Sequence, residues 1–177
     1  MPDQNQGKIL KPRIHESVFI AEGARIYGDV EIGEGSSIWF NAVIRGDEGK
    51  VTIGKHTNIQ DNSVVHSDGM IPVEIGDCVT VGHGAIIRGC RLGNSVMVGM
   101  NATIMSGVEI GDYCSVGANC FIPYSKKFPV KSLIAGVPAK LLRELKEEET
   151  RVNDMPVEIY KEVIQNYLNK KIIGHTR

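Results

Sequence analysis

The chain has 177 residues, about the length of one ordinary domain, so two large independent domains are not expected. Hydrophobic residues make up 42%, enough for a packed core, and 23% charged residues do not point to disorder. A balance of 20 Lys and Arg against 21 Asp and Glu gives a net charge of -1, which argues against a nucleic-acid partner. No run of about 18 apolar residues argues for a membrane span. The unusual counts are 20 glycines against only four Phe, one Trp and five Tyr. With so few large rings, the interior must be filled by Val, Ile, Leu and Ala. The many glycines need a structural reason, because each loses extra backbone entropy on folding.

At the N-terminus, Met1 to Gln6 is polar and Lys8 to Arg13 has no apolar stretch of the kind a secretory leader carries. A cytoplasmic location is therefore expected. The four cysteines, Cys78, Cys90, Cys114 and Cys120, show no C-x-x-C spacing and read as reduced, small, buried apolar residues.

From Ile20 to Ile122 an aliphatic residue recurs every six positions. The series begins Ile20, Ile26, Ile32, Ile38, Ile44, resumes at Ile53 and at Ile75, and runs on from Leu92 to Ile122. Glycine often follows it, as in Ile32-Gly33, Ile53-Gly54, Ile75-Gly76 and Leu92-Gly93. A period of six fits neither a helix nor ordinary strand alternation. It is the signature of a mainly β fold, a parallel β-helix of hexapeptide repeats in which each hexad makes one short strand and one corner. The aliphatic residue points inward, and the glycines are expected to let the chain turn at the corners.

The period breaks three times: residues are inserted at 46–50 and 67–72, and one is deleted near Gly89. In a solenoid such insertions become loops on one side and often mark the working surface. The β-helix is expected over 14–140, followed by a connecting segment at 141–155. An amphipathic helix over 156–171 then packs along the prism, with Asp154 as N-cap and Pro156 at the first helical position.

If three hexads make one coil, residues three hexads apart stack at about 4.8 Å. Tyr27, Arg45, His66, Arg88 and Met105 then point outward in one column, and His83 lies near the corner leading into that face. His15, His56 and His175 read as structural or solvated histidines.

Residues 43–68, VIRGDEGKVTIGKHTNIQDNSVVHSD, together with VTVGHG at 79–84, resemble the γ-class carbonic anhydrase family. The resemblance extends from Tyr27-Gly28-Asp29-Val30 to the Ala-Gly-Val-Pro-Ala-Lys stretch at 135–140, the latter shared with hexapeptide-repeat acyltransferases. It implies a left-handed β-helix that forms a homotrimer, acts on carbon dioxide and bicarbonate, and carries a metal site at each subunit interface. Zinc, or another divalent metal such as Fe or Co, is held in that family by three histidines, one of them from the neighbouring subunit. His66 matches the first and His83 the one that reaches across. The resemblance further implies that Gln60 orients hydroxide or substrate and that Arg45 and Asp47 pair at the interface. Asp61 would help position the site, Glu48 matches a carboxylate sometimes given a proton-transfer role, and Tyr167 resembles a helix tyrosine that reaches the metal pocket.

One position departs from the pattern. The third ligand, five residues after His83, is Arg88. A guanidinium has no lone pair to offer, and at about 4 Å it would repel a divalent ion by roughly 8 kcal/mol at an effective dielectric near 20. His66 and His83 would then need a carboxylate, Cys90 or an exogenous ligand to complete a metal shell. Three functions follow as expectations: hydration of carbon dioxide, acyl transfer from acyl-coenzyme A with His83 as general base, and a non-catalytic trimeric scaffold or anion binder using Arg45 and Arg88.

Overall fold

The computed structural model describes residues 10–69, 71–172 and 174. His175 and the polar start at Met1–Gln6 fall outside them. The chain coils as a three-faced parallel solenoid with a helical segment after it. On one face Ile26, Ile44, Val65, Ile87, Ile104 and Ile122 stand in register. A second face stacks Ile14, Ile32, Ile53, Ile75, Leu92, Ile110 and Phe128. The third stacks Ile20, Ile38, Ile59, Val81, Val98, Val116 and Ile134. These residues fill the prism, and most are fully buried. Ile20, expected to point into the core, is 45% exposed because its strand is the last in its sheet among the described residues.

Most of the glycines act differently from the expectation. Those following the aliphatic residues do not turn the chain, since Gly54, Gly76 and Gly93 are absent from the left-handed backbone region. They permit close stacking instead. A Cβ on Gly54 would stand 2.6 Å from the carbonyl carbon of Gly76, and one on Gly76 would stand 2.7 Å from that of Gly93. The turn itself comes two residues later, at Gly35 or at residues with a positive φ such as His56, Cys78, Ser95 and Tyr113. A second corner is turned by Gly23, Gly84 and four asparagines, Asn41, Asn62, Asn101 and Asn119, a residue type that tolerates this conformation.

The inserted residues stay close to the wall. Residues 46–50 lie within one strand, Val43–Ile53, whose pairing shifts register opposite Gly28 to Val30. In the second insertion Asp68 and Ile71 exchange backbone hydrogen bonds of 3.0 Å.

The segment expected as a plain connector, 141–155, is partly ordered structure. Strand Ala139–Glu144 runs antiparallel to Ser132–Gly136, and a helical turn at Glu147–Thr150 and a 3-10 turn at Arg151–Asp154 follow. The final helix spans Met155–Leu168, so it begins one residue earlier and ends three residues sooner than expected. Pro156 is its second residue, and Asp154 makes no side-chain cap because the 3-10 turn runs directly into the helix. Asn153, 1% exposed, pins this junction: its amide donates to the carbonyls of Ser95 (3.0 Å) and Cys114 (3.1 Å) and accepts from Ser115 (2.8 Å). Tyr160 and Tyr167 of the helix then pack on Trp39, with ring centroids 4.8 and 5.7 Å away. Among the described residues no helix is long and apolar enough to cross a membrane.

The cysteines are free thiols, and Cys90 lies in the core, where burial pushes its thiol up to about 12. It therefore does not supply the metal donor considered above.

The stacking argument makes Gly76→Ala costly. Urea denaturation is expected to show a loss of about 1–3 kcal/mol, the range for forcing extra volume into a packed interior. Tyr113→Gly, at a φ of 60°, is expected to stay within about 1 kcal/mol of the parent because glycine suits that conformation.

Candidate functional site

Strands Val43–Ile53, Val64–His66 and Ile86–Arg88 are adjacent, and their pairing places Arg45 beside His66 and His66 beside Arg88. The expected column is therefore present. His66 Nε2 lies 3.0 Å from Arg45 Nη2 and 3.1 Å from Asp47 Oδ1, while Arg45 Nη1 and Asp47 Oδ2 pair at 3.3 Å. One ring nitrogen cannot serve both partners in one protonation state. It accepts from Arg45 when it carries a lone pair and donates to Asp47 when it carries the proton. Burial opposes the charge on Asp47, but its own backbone N–H, His66 and Arg45 outweigh that and hold its carboxyl below the usual range.

Arg88 is turned elsewhere. Its Nη2 pairs with Asp68 Oδ1 at 2.9 Å, and the hydroxyl of Ser106 donates to Asp68 Oδ2. Arg88 Nε is buried and finds no hydrogen-bond partner among the described residues. Glu48 lies at the edge of this group, its carboxylate accepting from the Gly69 amide at 3.3 Å.

A second cluster forms around His83, at the corner after Thr80–Val81. His83 Nδ1 lies 2.6 Å from Asp61 Oδ2, and Asp61 Oδ1 accepts from the Phe40 amide at 3.2 Å. The His83 amide donates to Gln60 Oε1 at 3.2 Å. Gln60, 6% exposed, passes its own amide to Asn58 (3.1 Å), and Asn58 passes its amide to Thr80 (2.9 Å). Both ends of the Gln60 side chain are thus engaged within the chain. The His83 side chain is 46% exposed, and its remaining nitrogen, Nε2, is the one left for a ligand.

Tyr167 packs among Phe19, Trp39 and Phe40 and, with Asp61 and Tyr160, lines a cleft of about 370 Å³. Burial, with a contribution from Asp61, pushes the Tyr160 hydroxyl up to about 12. Sequence reasoning assigned no role to Asp68, Ser106, Asn58 or Tyr160. Tyr160 had a legible signal, since it shares a helical face with Tyr167, whereas the Asp68–Ser106 contact spans 38 residues.

The structure thus brings Arg45, Asp47, His66 and Arg88 together, with Glu48 beside them. It brings Gln60, Asp61 and His83 together separately, with Tyr167 at the cleft beside Asp61. Among the described residues no three His, Cys, Asp or Glu side chains of a single chain converge on a metal position. The available imidazole donors are His66 and His83, which stand in separate clusters. They do not make a shell of three, because the third position holds a guanidinium already bound to a carboxylate.

The family model for the bacterial transferase hexapeptide (six repeats) matches residues 11–46 and 89–123. The Methanocaldococcus jannaschii protein named "Probable carbonic anhydrase" is 53% identical over 138 residues, covering 78% of this chain and 87% of that one. Gamma carbonic anhydrase 2, mitochondrial, of Arabidopsis thaliana is 42% identical, covering 78% of this chain but only 52% of its own length. A solved hexapeptide transferase family protein from Anaplasma phagocytophilum superposes with a TM-score of 0.85 at 39% identity, covering 89% of this chain and 93% of that one. On the hexapeptide register and this extent of identity, the chain belongs to the γ-carbonic-anhydrase-like family of hexapeptide-repeat proteins.

Proposed function

We propose that this protein acts on carbon dioxide and bicarbonate in clefts between the subunits of a cytoplasmic homotrimer. Each cleft is built from His66 of one subunit and His83 of the next, around a divalent metal such as zinc. The observation that carries this reading is the close contact, 2.6 Å, between His83 Nδ1 and Asp61 Oδ2. A carboxylate behind an imidazole fixes the tautomer, aims the other nitrogen outward and raises its basicity, the arrangement expected of a metal-binding histidine. The relatedness to carbonic anhydrases supports the substrate class.

A bound metal supplies the Lewis acidity that makes water reactive near neutral pH. The chain's own residues prepare the cleft. Asp61 and the Gln60 carbonyl hold the His83 ring and backbone. Asp47 and Arg45 hold His66 from either side, and releasing its Nε2 for a ligand requires Arg45 to let go. Arg88 leaves the third position without a donor, so this protein hydrates carbon dioxide more slowly than a relative with three imidazoles.

The same His83–Asp61 pair has the form of a general base, which favours acyl transfer as a second reading. A hexapeptide-repeat acetyltransferase from Vibrio cholerae, complexed with acetyl coenzyme A, is 26% identical and superposes with a TM-score of 0.56. Against it, the insertion at 46–50 is absorbed into strand Val43–Ile53 and leaves no long acceptor loop there. The scaffold or anion-binder reading finds both guanidiniums already committed, Arg45 to Asp47 and Arg88 to Asp68.

Metal analysis and stopped-flow hydration, on the parent and on Arg88→His, test the proposal. The substitution is expected to raise both zinc content and hydration rate, the rate by about tenfold or more. If neither protein holds metal and neither rate exceeds the uncatalysed one, the reading is wrong. Acetyl coenzyme A, titrated calorimetrically, is expected to give no heat of binding; a saturable signal would favour acyl transfer. Asp61→Asn is expected to abolish the Nδ1–H preference of His83, read by imidazole nitrogen NMR, and to weaken zinc binding about 10- to 100-fold.

A further inference from the structure

We infer that Asp68 and Ser106 form a latch that parks the Arg88 guanidinium away from His66, which makes Asp68 a positioning residue for metal binding. The inference rests on reading the cleft as a metal site. It concerns the residue that most opposes that reading. His66 stands between two arginines in the column, and they behave differently. Arg45 reaches the ring nitrogen at 3.0 Å, whereas Arg88, equally adjacent by strand register, is paired with Asp68 at 2.9 Å.

The geometry around Asp68 explains the difference. Asp68 lies two residues beyond His66, in the second insertion, and its backbone is fixed by the exchange with Ile71. One carboxylate oxygen takes Arg88 and the other takes the Ser106 hydroxyl, from the neighbouring rung. Gly89, at the single-residue deletion, allows the approach: a Cβ there would stand 2.9 Å from Asp68 Cβ and 3.1 Å from Ser106 Oγ. Two of the three irregularities of the repeat, the second insertion and the deletion, therefore meet at this contact. Two further features fit a latch. Arg88 grips the carboxylate through Nη2 alone, with Nε buried and unpartnered, so one side chain sets where the guanidinium lies. The ion pair also offsets a positive charge that would otherwise face an incoming cation.

Zinc affinity is measured by calorimetry on the intact protein and four variants: Asp68→Asn, Asp68→Glu, Arg88→Gln and the double variant Asp68→Asn/Arg88→Gln. Circular dichroism verifies that each is folded. Asp68→Asn is expected to weaken zinc binding about tenfold or more, and Asp68→Glu to restore most of the affinity. The double variant is expected to match Arg88→Gln, because there is no arginine left to park. Equal losses from Asp68→Asn in the presence and absence of Arg88 would overturn the latch and make Asp68 a donor in its own right. A second measurement needs no metal. The Arg88 Nε–H proton is expected to exchange slowly with water in the parent and rapidly in Asp68→Asn and Ser106→Ala; equal rates would overturn the latch. Failure of Arg88→His to take up zinc would instead overturn the metal-site reading, while the exchange result still decides where Arg88 is held.

Discussion

The rung-to-rung backbone hydrogen bonds of the parallel coil position everything on its surface. They lock each hexad over the next and give the side chain no freedom to choose its neighbour above or below. Inside, the result is an aliphatic stack. Outside, it is a set of columns in which residues some twenty positions apart stand at strand spacing. Arg45, His66 and Arg88 are neighbours for this reason alone. No loop has to fold correctly to bring them together, and no loop movement can separate them. What remains free is only where each long side chain swings.

That freedom is resolved by carboxylates. Asp47 takes Arg45 and Asp68 takes Arg88, so the column alternates charges instead of presenting two bare guanidiniums around an imidazole. These are partly exposed pairs, and their contribution to folding stability is small. Their effect is on direction: a carboxylate at a fixed backbone position sends a flexible cation one way and not another. A column holding Arg at the third position is thus a different electrostatic object from one holding His, even with an unchanged fold. Fold and site separate here, as they commonly do on widely used scaffolds.

The period of six made the three faces and the outward column legible, because side-chain direction in a solenoid follows from counting. The counting failed where spatial closeness, not direction, decides. Gly54 and Gly76 looked like corner residues, but their requirement is the missing Cβ against the next rung, and the corners are turned two residues later. The strand Ala139–Glu144 was invisible because it pairs antiparallel and carries no period of six. Asn153 gave no signal either, since its three partners come from two rungs that only the folded coil brings together. For Asp68 the motif was visible but its partner Ser106 was not. At the site, the departure at Arg88 could be read from spacing, whereas the direction it swings depends on where the second insertion places Asp68.

The C-terminal helix looked from sequence like a cover for a flat strand face, and the aromatic packing gives it a further part. Tyr167 packs on Phe40 and Trp39, and the amide of Phe40 holds one oxygen of Asp61. The other oxygen of Asp61 holds His83. Five of the ten aromatic residues, Phe19, Trp39, Phe40, Tyr160 and Tyr167, are thus gathered where a helix meets the wall, behind the carboxylate that contacts His83. Tyr160 lines the same cleft as Asp61, where burial, with a contribution from Asp61, pushes its hydroxyl up to about 12. Removing the helix would uncover that carboxylate and loosen the ring it aims. The helix thus backs the wall carboxylate beside His83, while Asp68, in the second insertion, carries the carboxylate that draws Arg88 aside.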